Sequence, residues 1–223
     1  MVCCDLKVLC MLLGQQQRYA TFLCYISEWD SQSQDKHWTQ RQWTQTTGLI
    51  LGFKNILRKS LVDPEKITLP PLHIKLGLMK QSVKALDGHG NYFNYLSNKF
   101  PALSQVKIKE GIFVGTQIRA LTKNKMFGES MTPAEREAWI SFKEVIDKFL
   151  RNNEDANYEQ VVNNMLEKCK VLGRKMSLKL HFLFSHLDQF SEDLVAVSKE
   201  QGERFHQDVK ETEGGARDGG VYR

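Results

Sequence analysis

The run Leu69–Leu86, LPPLHIKLGLMKQSVKAL, decides the class of fold. Its two prolines, Pro70 and Pro71, end an extended segment, and Leu72, Leu76, Met79, Val83 and Leu86 then recur on one helical face. Gly88 and Gly90 close that helix. Beyond it the pattern stays helical. Tyr92–Phe100 and Leu103–Lys109 read as short helices separated by Pro101. Thr132-Pro133-Ala134-Glu135 is a capping box with proline in the first turn, opening a helix through Trp139, Phe142, Val145, Ile146 and Phe149. Tyr158, Val161, Val162, Met165, Leu166, Cys169 and Leu172 form the clearest apolar stripe, stopped by Gly173, and Ser177 is placed to cap a further helix carrying His181 and His186.

Toward the N-terminus the pattern changes. Residues 2–4 read as a strand, 6–13 as a helix ended by Gly14, and Tyr19–Ile26 as a second strand. Ser27–Thr47 is polar but holds Trp29, Trp38 and Trp43, which marks an irregular connection held by buried rings. The expected fold is therefore mostly α with a small α/β part. The organisation expected is an α/β element over 1–30, an irregular linker over 31–71, a helical region over 72–190, a C-terminal helix over 191–210 and a frayed tail over 211–223.

The 223 residues suffice for one domain with a real core. An apolar fraction of 41% with 26% charged residues excludes a disordered chain. The opening VCCDLKVLCMLLG is too short and too interrupted by Asp5 and Lys7 for a signal peptide or a membrane span. Five cysteines, an odd count crowded at the N-terminus, argue against a disulfide framework and for a reducing, intracellular compartment. The net charge of +5 permits nucleic-acid binding without requiring it. Phosphate-cradling and nucleophile-elbow motifs are absent from the sequence, and no small-molecule substrate is evident.

Several residues carry candidate chemistry. Asp5 stands where a strand gives way to a helix, a place for a catalytic carboxylate and equally for an N-cap, with the cap favoured. His181 and His186 are five apart, off the four-residue spacing that shares a helical face, so packing is the better reading for both. Glu200 and Glu203 lie one turn apart in a charged helix, as helix-start charges or as a carboxylate donated to a divalent ion. Cys24 is followed by Ser27 and then His37; with serine in the second place of a C-x-x-C, one thiolate and one imidazole are too few for a structural zinc site. Lys75, Lys80, Lys84, Arg119 and Lys123 recur across the helical region as a phosphate-binding face or as solvated helix surface.

At DLKVLCMLLGQQ (5–16), LVDPEKITLPPLHIKLGLMKQSVKAL (61–86), MSLKLHFLFSHLD (176–188) and EQGERFHQD (200–208) the chain resembles DDE-type, RNase H-like transposases and their mobile-element derivatives. The resemblance runs from Val2 to about Lys210. It implies a partial RNase H-like element carrying a long helical insertion over about Pro71–Phe190. It also implies carboxylates that hold two Mg or Mn ions for in-line attack on a DNA phosphodiester. Asp5 matches the second carboxylate of such a site, and Glu203, with Glu200 as the alternative, matches the last. The first would lie on a strand upstream of Met1, and TEGGARDGGVYR replaces the family's usual continuation, so a truncated copy without strand transfer of its own is expected. His73 resembles the histidine of a C-x-x-H element in which Pro70 stands for the cysteine, and Ser27 stands where the family has a second knuckle cysteine. The implied partners are DNA, in a nuclear setting, and a second copy of the chain, with no membrane. A helical nucleic-acid or protein interaction module, and a metal-dependent nuclease completed by another chain, are the competing readings.

Overall fold

The computed structural model describes residues 2–16, 20–84, 86, 91–150 and 156–190. Among these it is mostly helical, with nine α-helices and no sheet. They are α1 (Leu6–Leu12), α2 (Pro71–Lys84), α3 (Asn91–Lys99), α4 (Gln105–Lys109), α5 (Gly115–Thr122), α6 (Lys125–Glu129), α7 (Pro133–Lys148), α8 (Tyr158–Val171) and α9 (Leu178–Ser185). The expected C-terminal helix, the tail and with them Glu200 and Glu203 lie outside the described residues.

The helix α2 is the hub: it touches α4, α5, α7 and α9. Its expected apolar face is real but too narrow a description. Leu72, Ile74, Leu78, Met79 and Val83 are all buried, as are Gly77 and Ser82, so the helix is covered on most sides. A helix hemmed in by four others loses its polar face to its neighbours. Lys75, assigned from sequence to a phosphate-binding face, is buried in this way at 4% exposure and presents nothing to a ligand there.

The long pair α7 and α8 packs together over most of its length, with α9 laid against α8 and α2. The capping box forms as the sequence implies: Thr132 N donates to Glu135 Oε2 at 2.9 Å, and Thr132 Oγ1 accepts from Glu135 N at 3.4 Å. Val162, Met165, Leu166 and Cys169 of the α8 stripe are buried, and Gly173 takes φ +66° just beyond the helix, a left-handed residue suited to glycine. Ser177 caps α9, its Oγ accepting from Leu180 N at 3.3 Å. Two short helices, α5 and α6, gave no separate periodic signal, because five to eight residues barely complete two turns.

The N-terminal part departs from expectation. α1 forms and ends at Gly14 (φ +68°), where the backbone carbonyl of Arg58 leaves no room for a Cβ. Among the described residues the two strands do not form. Val2 makes one parallel bridge with Ile67, and Phe22 one antiparallel bridge with Asp30. A strand needs neighbours on a continuing ladder, and each of these residues meets a partner for a single step. The intended α/β part is thus a helix and isolated bridges.

The tryptophans fasten the irregular segment that follows. Trp29 is buried, and Trp38 donates Nε1–H to the carbonyl of Arg174 at 3.0 Å with its ring edge-on to Phe184 of α9. None of the five cysteines is in a disulfide. No helix of the described residues is long and apolar enough to cross a membrane.

Candidate metal centre

Two segments far apart in sequence converge beneath these rings. One is the turn Cys24–Ser27; the other is α9 with the residue that ends it. Cys24, Ser27, His181 and His186 are all buried, and one nitrogen of each ring and the Cys24 sulfur lie within 4.8 Å of one another.

The distances form a pattern. Cys24 Sγ lies 3.6 Å from His186 Nε2. Ser27 Oγ lies 3.5 Å from Cys24 Sγ, 3.2 Å from His181 Nε2 and 3.0 Å from His186 Nε2. A tetrahedral ion with a metal–sulfur bond of ~2.3 Å and metal–nitrogen and metal–oxygen bonds of ~2.0–2.1 Å sets S···N and S···O edges of about 3.6 Å and N···O edges of about 3.3 Å. Four of the six edges therefore fit a ligand tetrahedron around an ion.

The surroundings suit that reading. Ser185 Oγ lies 3.2 Å from His181 Nδ1, so a ring whose Nε2 lone pair faces the centre donates its other N–H to this hydroxyl. Trp29 stacks on His181 at 4.7 Å and 11°, fixing the ring plane. The backbone N–H of Ser27 points at Cys24 Sγ at 3.4 Å, as a thiolate acceptor requires. Burial holds both imidazoles neutral: His181 is pushed down to about 3, chiefly by burial and then by the nearby His186 and His37, and His186 to about 4, chiefly by burial against a small opposing pull from Asp188. Neutral imidazole is the ligand form. Burial raises the Cys24 thiol, so without an ion the group is a thiol.

His181 and His186 come together despite their spacing, and both are buried. The helix stops between them. His186 leaves helical geometry at φ −137°, ψ 41°, and its ring comes back edge-on to His181 with centroids 5.0 Å apart. Cys24 and His37 are the pair that the sequence alone leaves short of a zinc site. Cys24 has two imidazole partners, but neither is His37. That ring meets the carbonyl of Asp30 through Nε2 at 2.8 Å; a carbonyl only accepts, so this nitrogen carries a hydrogen and has no lone pair to give. A Cys-x-x-Ser turn and a His-x-x-x-x-His pair, taken as two halves of one pattern, were the signal available in the sequence.

The other sequence candidates are elsewhere. Asp5 caps α1, accepting from Lys7 N at 2.6 Å, and its second oxygen lies 3.3 Å from Nδ1 of His73 on α2. Two residues singled out for separate reasons thus meet, and the cap favoured for Asp5 is present. Lys80 and Lys84 both reach Glu110, at 3.8 and 2.7 Å, and Lys84 holds its carboxyl below the usual range. Lys123 is exposed and Arg119 half-buried. These five basic residues do not make a single free cationic face, since one is buried and two are tied to a carboxylate.

The fold and this cluster define a mostly helical protein with a buried centre of one cysteine and two histidines. Residues 1–62 match the family described as Domain of unknown function (DUF8703), and residues 71–151 match the Domain of unknown function (DUF8704), whose match begins at the first residue of α2. No curated protein and no solved structure matches the chain.

Proposed function

We propose that this chain is a metal-stabilised binding module in which one ion of the zinc class, held by Cys24, His181 and His186 with Ser27 at the fourth vertex, ties the N-terminal segment to α9. The observation that carries this is the set of edge distances from Ser27 Oγ and Cys24 Sγ, which fit tetrahedral coordination although the two halves are more than 150 residues apart in sequence. One thiolate and two imidazoles suit zinc, or copper, and are the wrong donors for Mg or Mn, which take oxygen. Three protein ligands in a buried site would supply folding free energy directly. The test is metal content of protein purified without a polyhistidine tag. About one zinc per chain, lost on His181→Ala together with a lower melting temperature, supports the reading; metal-free protein that takes up no zinc on dialysis ends it.

A second reading keeps the mobile-element resemblance: a transposase-derived chain that performs no strand transfer alone and retains contact with DNA. The observation favouring it is a groove of about 560 Å3 where α2 and α8 end, lined by the exposed Lys175 and by Lys84 and Arg174, which are paired with Glu110 and with Ser82 and Cys169. Asp5 supports the non-catalytic part of that reading, because its two oxygens are engaged by the α1 cap and by His73. Duplex binding whose affinity falls steeply with salt, weakened by Lys175→Gln, supports it; no binding at low salt removes it.

A further inference from the structure

Ser27 is the weak corner of the proposed tetrahedron. A thiolate and neutral imidazoles are strong donors to a borderline ion, whereas an alcohol oxygen that keeps its proton is a poor one. Its position puts it at the right distance without giving it the charge that would hold it there.

The wall behind it is not solid. A cavity with about 40 Å3 of room lies on the side of the centre formed by Cys24 and Ser27, and neither histidine lines it. That is space for roughly two or three waters. Its other walls include apolar Phe22 and Ile56, together with Gln15 and Asn55. Gln15 Oε1 and Asn55 Nδ2 are buried with no hydrogen-bond partner among the described residues. One acceptor and one donor left unpaired beside a cavity of this size fit a small polar occupant, since a buried polar atom is costly without one.

Resting on the metal reading above, we propose that the ion keeps an exchangeable fourth position at Ser27, supplied from this cavity by small donor ligands: water first, and compact anions such as azide. A donor approaching from the cavity meets the Cys24–Ser27 edge of the tetrahedron. It can displace the serine hydroxyl and leave the three stronger ligands in place. No bond other than the metal–oxygen contact changes. The room beside the centre suits ligands of a few atoms. The pattern of three protein donors and one replaceable position is the one that separates reactive zinc centres from closed structural ones.

The experiment uses the full chain loaded with Co2+, whose visible bands report coordination, and titrates azide. The expected result is a saturable shift of the cobalt bands in the wild-type protein. In Ser27→Cys, which closes the site with two thiolates and two imidazoles, cobalt binds at least tenfold tighter and azide produces no shift. In Ser27→Ala the shift remains, because the position is then filled by solvent. A wild-type cobalt spectrum that azide leaves unchanged overturns the proposal while leaving the metal centre standing. A Ser27→Cys protein that responds like wild type also overturns it, since the ligand then enters elsewhere. Absence of any thiolate-to-cobalt absorption overturns both this proposal and the metal reading.

Discussion

His181 and His186 face each other edge to face with ring centroids 5.0 Å apart, although an uninterrupted α-helix would turn residues five apart onto different faces. The contact exists because α9 ends at Ser185 and His186 swings out of helical geometry. Everything proposed for the centre depends on that one break in the helix.

The break sets an acid limit on the metal-free protein. Both histidines titrate far below their ordinary value of 6.5, His181 at about 3 and His186 at about 4, so the unfolded chain takes up protons before the folded one does. Stability is therefore full above 6.5 and falls as pH drops toward the folded values. Each histidine contributes a slope of ~1.4 kcal/mol per pH unit within that window. Urea denaturation of chelator-treated protein from pH 7 down to about 5, above the range where carboxylates dominate, measures it. A flat profile over that range would show that the imidazoles are solvated.

Metal uptake should release protons. The thiol of Cys24 is raised by burial and both rings are already neutral, so only the thiol has a proton to lose at neutral pH. About one proton per ion is expected, with affinity rising close to tenfold per pH unit around neutrality. Titration in weakly buffered solution with a pH indicator reads the count. No release excludes Cys24 as a ligand; two indicate that Ser27 or a bound water also ionises.

His37 and His186 should separate cleanly. Both are buried, and both lie near Trp29 or His181, but the Nε2 of His37 is spent on the Asp30 carbonyl. His37→Ala is expected to lower the melting temperature and keep metal stoichiometry, whereas His186→Ala loses the ion. Equal loss from both variants would mean that the ligand set is misassigned.

Gly14 tests the junction of α1 with the segment that covers it. Its φ of +68° is left-handed, its carbonyl accepts from Leu57 N at 2.8 Å, and the Arg58 carbonyl fills the space a side chain would need. Gly14→Ala should cost about 1–3 kcal/mol by denaturant titration from the backbone conformation alone, with more from the clash. A neutral substitution would show that this loop packs differently.

How much of this was legible varies with range. α2, α7, α8 and α9 could be read because their apolar spacing and their caps at Thr132 and Ser177 are local. The strands at 2–4 and 19–26 misled, since apolar and aromatic residues mark burial and do not by themselves provide a neighbouring strand. Lys75 misled for a related reason: its place on a helix was clear, but the four helices around α2 were not.

The sequence by itself determined a helical protein, with its long helices, their start signals and their glycine stops, because those features depend on residues three or four apart. Only the tertiary structure decided the centre. Ser27 and His181 are 154 residues apart, Cys24 and His186 are 162 apart, and no local period links them. They meet because α9 packs on α2 and α8 while Trp29 and Trp38 pin the N-terminal segment across it, and that depends on how whole faces bury one another.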